Sequence, residues 1–244
     1  EPLRKILTFS SLLEKEQLSD RASEYVGKMI NTSQRMQHLI DDILQFSNLR
    51  SEHRTYETTD VATILKEVIS DLEISIQNAK AQVQLPTQLP TIEAIPSQLG
   101  QLFQNLISNA IKFKKENETP IVSISASKIN GALVKEPFED AGKGKPFWHQ
   151  EQFVKIAITD NGIGFDEANA EKIFEVFQRL HNRKSYEGTG IGLAICKRIV
   201  DNHHGFIKAK SAVGNGATFT IILPISQKHY QQKSGSLNRF FVEL

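Results

Sequence analysis

Apolar positions along this 244-residue chain recur at three-and-four spacing in some stretches and alternate strictly in others, which separates helices from strands. Ile6, Phe9 and Leu13 predict a short first helix to about residue 14. A second begins after Ser19, a hydroxyl N-cap followed by Asp20. Its apolar or small positions Val26, Met29, Ser33, Met36, Ile40, Ile43 and Ser47 step by 3, 4, 3, 4, 3 and 4, a heptad seam. Leu39, Leu44, Phe46 and Leu49 widen that seam beyond what one short partner helix covers. Burying it takes a second copy, so residues 1–56 are expected to form a helical hairpin that pairs into a dimeric four-helix bundle.

The pattern then changes. The polar stretch 51–59 reads as a linker, and Asp60 caps a helix to about residue 77 with Val61, Ile64, Leu65, Val68 and Leu72 facing inward. Short strands are expected near 81–85 and 91–94, limited by Pro86 and Pro90. A helix over 96–115 follows, and 121–127 and 152–159 alternate as half-buried strands. Strands near 205–211 and 217–223 finish an α+β layer, giving a second domain over 60–226. Between the central strands, 130–145 is rich in Gly, Lys and acidic residues and too long for a tight hairpin, which predicts a surface excursion. The tail 227–244 is polar and ends in Phe240-Phe241-Val242-Glu243-Leu244; it is either disordered or docked.

Four short segments carry candidate chemistry. Asp160-Asn161-Gly162-Ile163-Gly164 follows a strand, and Gly188-Thr189-Gly190-Ile191-Gly192-Leu193 opens a helix. Asn105, Asn109 and Lys112 lie on the helix upstream, and Gly214-Asn215-Gly216-Ala217-Thr218-Phe219 closes the set. Each supplies something an adenine nucleotide needs. The Asp160 carboxylate can accept from the exocyclic amine of adenine, where guanine presents an acceptor. Gly162 and Gly164 clear side chains where backbone would approach a ligand. The glycines at 188, 190 and 192 make a pliable loop, and the helix after it points free N–H groups at phosphate oxygens. Asn105 and Asn109 share one helix face beside a stripe of apolar residues. Two amides there need partners, either Mg²⁺ with a triphosphate or an ordinary hydrogen-bond network.

Composition limits the alternatives. A formal charge of +1 implies no broad electrostatic grip on nucleic acid or an anionic membrane. Cys196, the one cysteine, reads as a small core residue in a reducing compartment. No apolar run reaches the roughly 18 residues of a membrane span, and nothing resembles a signal peptide. A cytoplasmic location is expected. The chain begins inside a helical pattern at Glu1-Pro2, so a longer parent, free to be membrane-anchored, is expected.

With these parts placed, the chain resembles the kinase core of a two-component sensor histidine kinase. The segments that carry the resemblance are the N box over residues 101–113, the glycine boxes over 160–165 and 188–193, and the F box over 173–180. It implies an α/β sandwich of the histidine kinase, gyrase and heat-shock chaperone type after the helical hairpin, and an ATP-dependent protein histidine kinase. ATP and Mg²⁺ would be the ligands, with Asn109 on the metal and Asn105 beside it. Lys112 and Arg179 would contact phosphates, Phe113 and Ile163 line the adenine pocket, and Asp160 read adenine. Gly162, Gly164, residues Gly188, Thr189, Gly190, Ile191, Gly192 and Leu193, and Thr218 complete the implied nucleotide set. Residues 178–189 would form a lid. The phosphoryl group would pass from a histidine to an aspartate on a response-regulator receiver domain.

The family's phosphoacceptor pattern has Pro five residues after the histidine, and Pro2 fits that place, so the acceptor is expected four residues before Glu1. None of the seven histidines has Pro at that distance or an acidic neighbour following it. Glu1 stands where many members carry Thr or Asn, and Glu1-Pro2 resembles the subset found with phytochrome-like and PAS-type sensors. Gyrase-like and chaperone ATPases are the rival class. They place a Glu, the base for water, four residues before the metal-binding Asn, where this chain has Asn105. The other alternative is a catalytically inactive, dimeric module that binds nucleotide as a signal.

Overall fold

The computed structural model describes residues 2–16, 18–49, 55–131, 151–180 and 188–228. Two helices, α1 (Pro2–Leu13) and α2 (Asp20–Asn48), pack against each other as a hairpin. Ser19 caps α2, its hydroxyl accepting from Ala22 N at 3.4 Å. Val26, Ser33 and, on α1, Ser10 are buried where the helices meet, and the small serines let them approach closely. The other seam residues Met29, Met36, Ile40 and Ile43 are 42–49 % exposed in the single chain.

The widened seam divides in two. Leu39, Phe46 and Leu49 pack onto the core of the following domain, whereas Leu44 is exposed. Leu39, Asp42, Phe46 and Leu49 step by 3, 4 and 3, a second stripe rotated away from the methionines. A partner copy is therefore not what covers them.

The linker is shorter than its polar run predicts, because β1 (Glu57–Asp60) pairs antiparallel with β3 (Thr91–Ala94), Glu57 opposite Ala94. Four polar residues give no strand signal, and the pairing comes from the partner edge. Asp60 then caps α3 (Val61–Asp71), accepting from Ala62 N at 3.2 Å and from the Thr63 hydroxyl at 2.7 Å. The helix expected to run to residue 77 breaks at Leu72 (φ −92°, ψ 5°), and α4 (Glu73–Ala79) continues at a new angle. The break lets both Leu72 and Ile76 reach the core.

A five-stranded sheet runs in the order β2 (Gln82–Gln84), β4 (Ile121–Asn130), β5 (Gln152–Asp160), β7 (Ala217–Pro224), β6 (Phe206–Ser211). β2 is parallel to β4, and the other neighbours are antiparallel. Helices α5 (Pro96–Lys112) and α6 (Gly192–Asn202) cover one face, with α3 against α5. Leu99, Leu102, Phe103, Leu106 and Ile107 of α5 are completely buried, and α6 adds Ile195, Cys196 and Ile199. On the other face Phe153 anchors a small cluster with Ile129, Phe206 and Ile222. The expected α+β architecture, hairpin then layered domain, is what the chain adopts.

The domain runs past its expected end at 226. Gln227 is 1 % exposed and donates to His203 O at 3.0 Å. Glu1, the excursion from 132 onward, the middle of the expected lid (181–187) and the tail from 229 lie outside the described residues.

Candidate functional site

The C-terminal end of α5, the ends of β5 and β7 and the start of α6 converge around one cavity of about 290 Å³. β5 delivers Asp160 to its floor. There Asp160 Oδ1 accepts from Gly162 N at 2.8 Å and from Ala217 N at 3.2 Å, which fixes the carboxylate. Burial pushes its carboxyl above the usual carboxylate range, against the pull of those two N–H groups. Asn161 faces away and latches the turn to the neighbouring strand, accepting from Ile121 N at 2.8 Å and donating to Thr119 O at 3.0 Å. Ile163 N donates to Phe113 O at 2.9 Å, tying this turn to the end of α5.

From α5, Asn105, Asn109, Lys112 and Phe113 line the cavity, with Lys112 Nζ 4.7 Å from the centre of the Phe113 ring. Asn105 Nδ2 is buried and has no hydrogen-bond acceptor. Burial pushes the Cys196 thiol far above the usual range, and the Asn105 side chain pulls it back slightly. Cys196 Sγ donates to Leu102 O at 3.8 Å, as a core residue. Ile163, Gly164, Arg179, Gly188, Thr189, Gly190, Gly192 and Leu193 complete the expected residues in the lining. No side chain caps the N-terminus of α6, whose first residues Gly192 and Leu193 line the cavity.

Three expected members are placed otherwise. Gly162 is not in the lining, and a Cβ there would meet Phe113 O; at Gly164 (φ 61°) a Cβ would meet Ala212 O. The space these glycines clear is filled by the chain's own backbone, so they permit the turn rather than make room for a ligand. Ile191 is fully buried beneath the loop as part of the core. Thr218 points to the opposite face of the sheet, its hydroxyl 3.0 Å from that of Thr159. Strand parity sends Ala217 and Phe219 into the cavity instead.

The lining also holds residues to which the sequence assigned no role of their own. Phe165, inside the first glycine box, and Ile173 and Leu180, inside the F box, supply apolar wall. Asp42 comes from α2, and its carboxylate accepts a hydrogen bond from the Thr189 hydroxyl. Nothing in the sequence near residue 42 marks it. Among the described residues no helix is long and apolar enough to cross a membrane.

The domain holding this cavity matches a known family over residues 94–227, that of the histidine kinase-, DNA gyrase B-, and HSP90-like ATPases. The chain belongs to this ATPase family. The hairpin matches the His Kinase A (phospho-acceptor) domain over residues 1–52. The chain is 35 % identical to cyanobacterial phytochrome A of a Nostoc species, over 96 % of its own length and 28 % of that protein. It is 34 % identical to phytochrome-like protein Cph1 of a Synechocystis species, covering 92 % of the chain and 27 % of the relative. It thus spans little more than a quarter of these relatives' length. Among solved structures, full-length ShkA in complex with AMPPNP superposes with a TM-score of 0.65 at 25 % identity, over 91 % of this chain and 43 % of that one. These matches agree with the resemblance to sensor histidine kinases and with the fold it implies, an ATPase-type domain behind a helical hairpin.

Proposed function

We propose that this chain is the kinase core of a phytochrome-type or related sensor histidine kinase, binding ATP with Mg²⁺ and transferring its γ-phosphoryl group to a histidine. The observation that carries the reading is the convergence of Asn105, Asn109, Lys112, Asp160 and Arg179 with the glycine-rich loop on one cavity. The domain division is a hairpin over 1–56 and an ATP-binding domain over 60–226, with the hairpin pairing into a homodimer. A response-regulator receiver domain is the onward acceptor.

In this reading Asp160 accepts from the adenine amine, and Phe113 and Ile163 flank the base. Lys112, Arg179 and the N-terminal N–H groups of α6 offset phosphate charge. The unpartnered Asn105 Nδ2 suits a phosphate oxygen or an ordered water. Mg²⁺ fits the hard amide oxygen of Asn109, and when bound it supplies neutralising charge at the phosphates. Phosphoryl transfer asks mainly for positioning. The bond from the γ-phosphorus to its bridging oxygen breaks, one to a neutral imidazole nitrogen forms, and ADP leaves. The absence of Glu at position 105 leaves no base for a water of the kind the gyrase-like class uses, which favours the kinase over a hydrolase.

Calorimetry tests the site. ATP and ADP should bind in a Mg²⁺-dependent manner with GTP binding little, and Asp160→Asn should weaken the adenine preference. Equal affinity for GTP would refute the assignment of Asp160.

A further inference from the structure

Asp42 is the residue of the cavity lining, among those described, that comes from the helical hairpin. It accepts from the Thr189 hydroxyl in the glycine-rich loop, whose neighbour Gly188 lies beside Lys112 Nζ, an added Cβ there falling 2.7 Å from that nitrogen. The carboxylate therefore contacts the loop that passes beside Lys112, in a cavity whose lining also holds Arg179. The contact is built rather than incidental. Gln101 Nε2 donates to Gln45 Oε1 at 2.7 Å, and Asn202 Nδ2 donates to Leu49 O at 3.1 Å. Leu39, Phe46 and Leu49 pack on the domain core along the same stripe.

We propose that α2, docked in this way, sets nucleotide affinity against ligand charge: Asp42 disfavours each added phosphate, so that ATP binding and hairpin docking oppose each other. The inference rests on the nucleotide reading above. Two effects act together. Asp42 adds a negative charge where Lys112 and Arg179 would otherwise attract phosphate, and inside a partly enclosed cavity that repulsion is less screened than at a free surface. It also engages the Thr189 hydroxyl, which a phosphate oxygen would need as donor. By linkage, a ligand that binds better without the contact must loosen the contact when it binds.

The test uses the whole chain and three ligands of rising charge: adenosine, ADP and ATP, the last two with Mg²⁺. Asp42→Asn keeps an oxygen that can accept from Thr189 and removes the charge. It should leave adenosine affinity unchanged, tighten ADP about threefold and tighten ATP about tenfold, the last equal to about 1.4 kcal/mol. Asp42→Ala should tighten ATP at least as much. Saturating ATP should also speed amide hydrogen exchange at the end of α2 in the unmutated chain, and adenosine should not. Identical ATP affinities for the unmutated chain and both variants would overturn the proposal, as would an equal gain for all three ligands. Failure of all three ligands to bind any of these folded proteins would overturn the nucleotide reading itself.

Discussion

Asp160 shows what a half-buried carboxylate costs. Two backbone N–H groups hold it, but burial outweighs them and raises its folded pKa above the ordinary 3.8. Between 3.8 and that raised value the folded chain binds more protons than the unfolded one, so stability falls as pH rises through the window and is level above it. Asp160→Asn retains an oxygen for Gly162 N and Ala217 N and removes the charge. Its stability advantage over the unmutated chain should be smallest below pH 3.8, grow as pH rises, and plateau. Urea denaturation of both proteins across pH 3.5–7, a range chosen as roughly bracketing carboxylate titration, checks this. An advantage that shrinks with rising pH would contradict the desolvation account. At this scale the sequence was most legible where chemistry is contiguous: Asp160, Ile163 and Gly164 sit in five consecutive residues, and all three reach the cavity. It was least legible where one step of strand parity decides. Thr218 has the chemistry of a ligand-binding residue, yet the register Thr159 opposite Thr218 turns it out of the cavity and admits Ala217.

Among the elements, the end of α6 organises how the two domains are joined. Asn202 donates to Leu49 O at 3.1 Å and to Gln98 Oε1 at 3.3 Å, while its own carbonyl accepts from the Tyr56 hydroxyl at 2.6 Å. His203 is fully buried, with Nε2 accepting from Ile95 N at 3.0 Å and Nδ1 2.8 Å from Ile199 O. That pairing fixes a neutral ring protonated on Nδ1, and Tyr56 stands edge-on to it at 5.7 Å. Leu49 and Tyr56 are thus both fastened to one helix end, so movement of the hairpin away from the domain must release the bond at Leu49. Asn202→Ala removes two buried hydrogen bonds and should lower stability by about 1–3 kcal/mol. Its adenosine affinity should stay unchanged, because none of these groups lines the cavity. Chemical denaturation together with calorimetry separates the two, and a loss of adenosine binding without a loss of stability would place Asn202 in the site. Periodicity found α1, α2, α3 and α5 and the alternating strands, since each carries an apolar face of its own. It missed β1 and the break at Leu72, since both follow from a partner element: an edge to pair with, or a core to reach.

On the scale of the whole molecule, α2 carries two apolar stripes that the sequence merges into one wide face. Both have three-and-four spacing, and what distinguishes them is the polar pair within one: Asp42 and Gln45 reach groups of the ATP-binding domain, so the stripe of Leu39, Phe46 and Leu49 belongs to that domain. The other stripe is exposed in the single chain, and the proposed homodimer assigns it to a second copy. Met29, Met36, Ile40 and Ile43 are each more than two-fifths exposed, and α1 adds Ile6, Phe9, Leu12 and Leu13, all between 43 and 63 % exposed. Exposed apolar residues on both helices of a hairpin are what a four-helix bundle buries. At about 25 cal/mol per Å² of apolar area, covering several such side chains contributes several kcal/mol before the cost of association. Ile40→Asp and Ile43→Asp together would bury unpaired charges in that seam and should dissociate the pair, while nucleotide binding persists because neither residue lines the cavity. Light scattering on the unmutated chain at tens of micromolar, roughly well above a micromolar Kd, should give a dimer mass, and the double variant a monomer mass. A monomer mass for the unmutated chain would refute the bundle. Because docking and pairing use different stripes of one helix, the variant should also keep the contact between Asp42 and Thr189, so that any change in ATP affinity on dissociation would reveal coupling between the two faces.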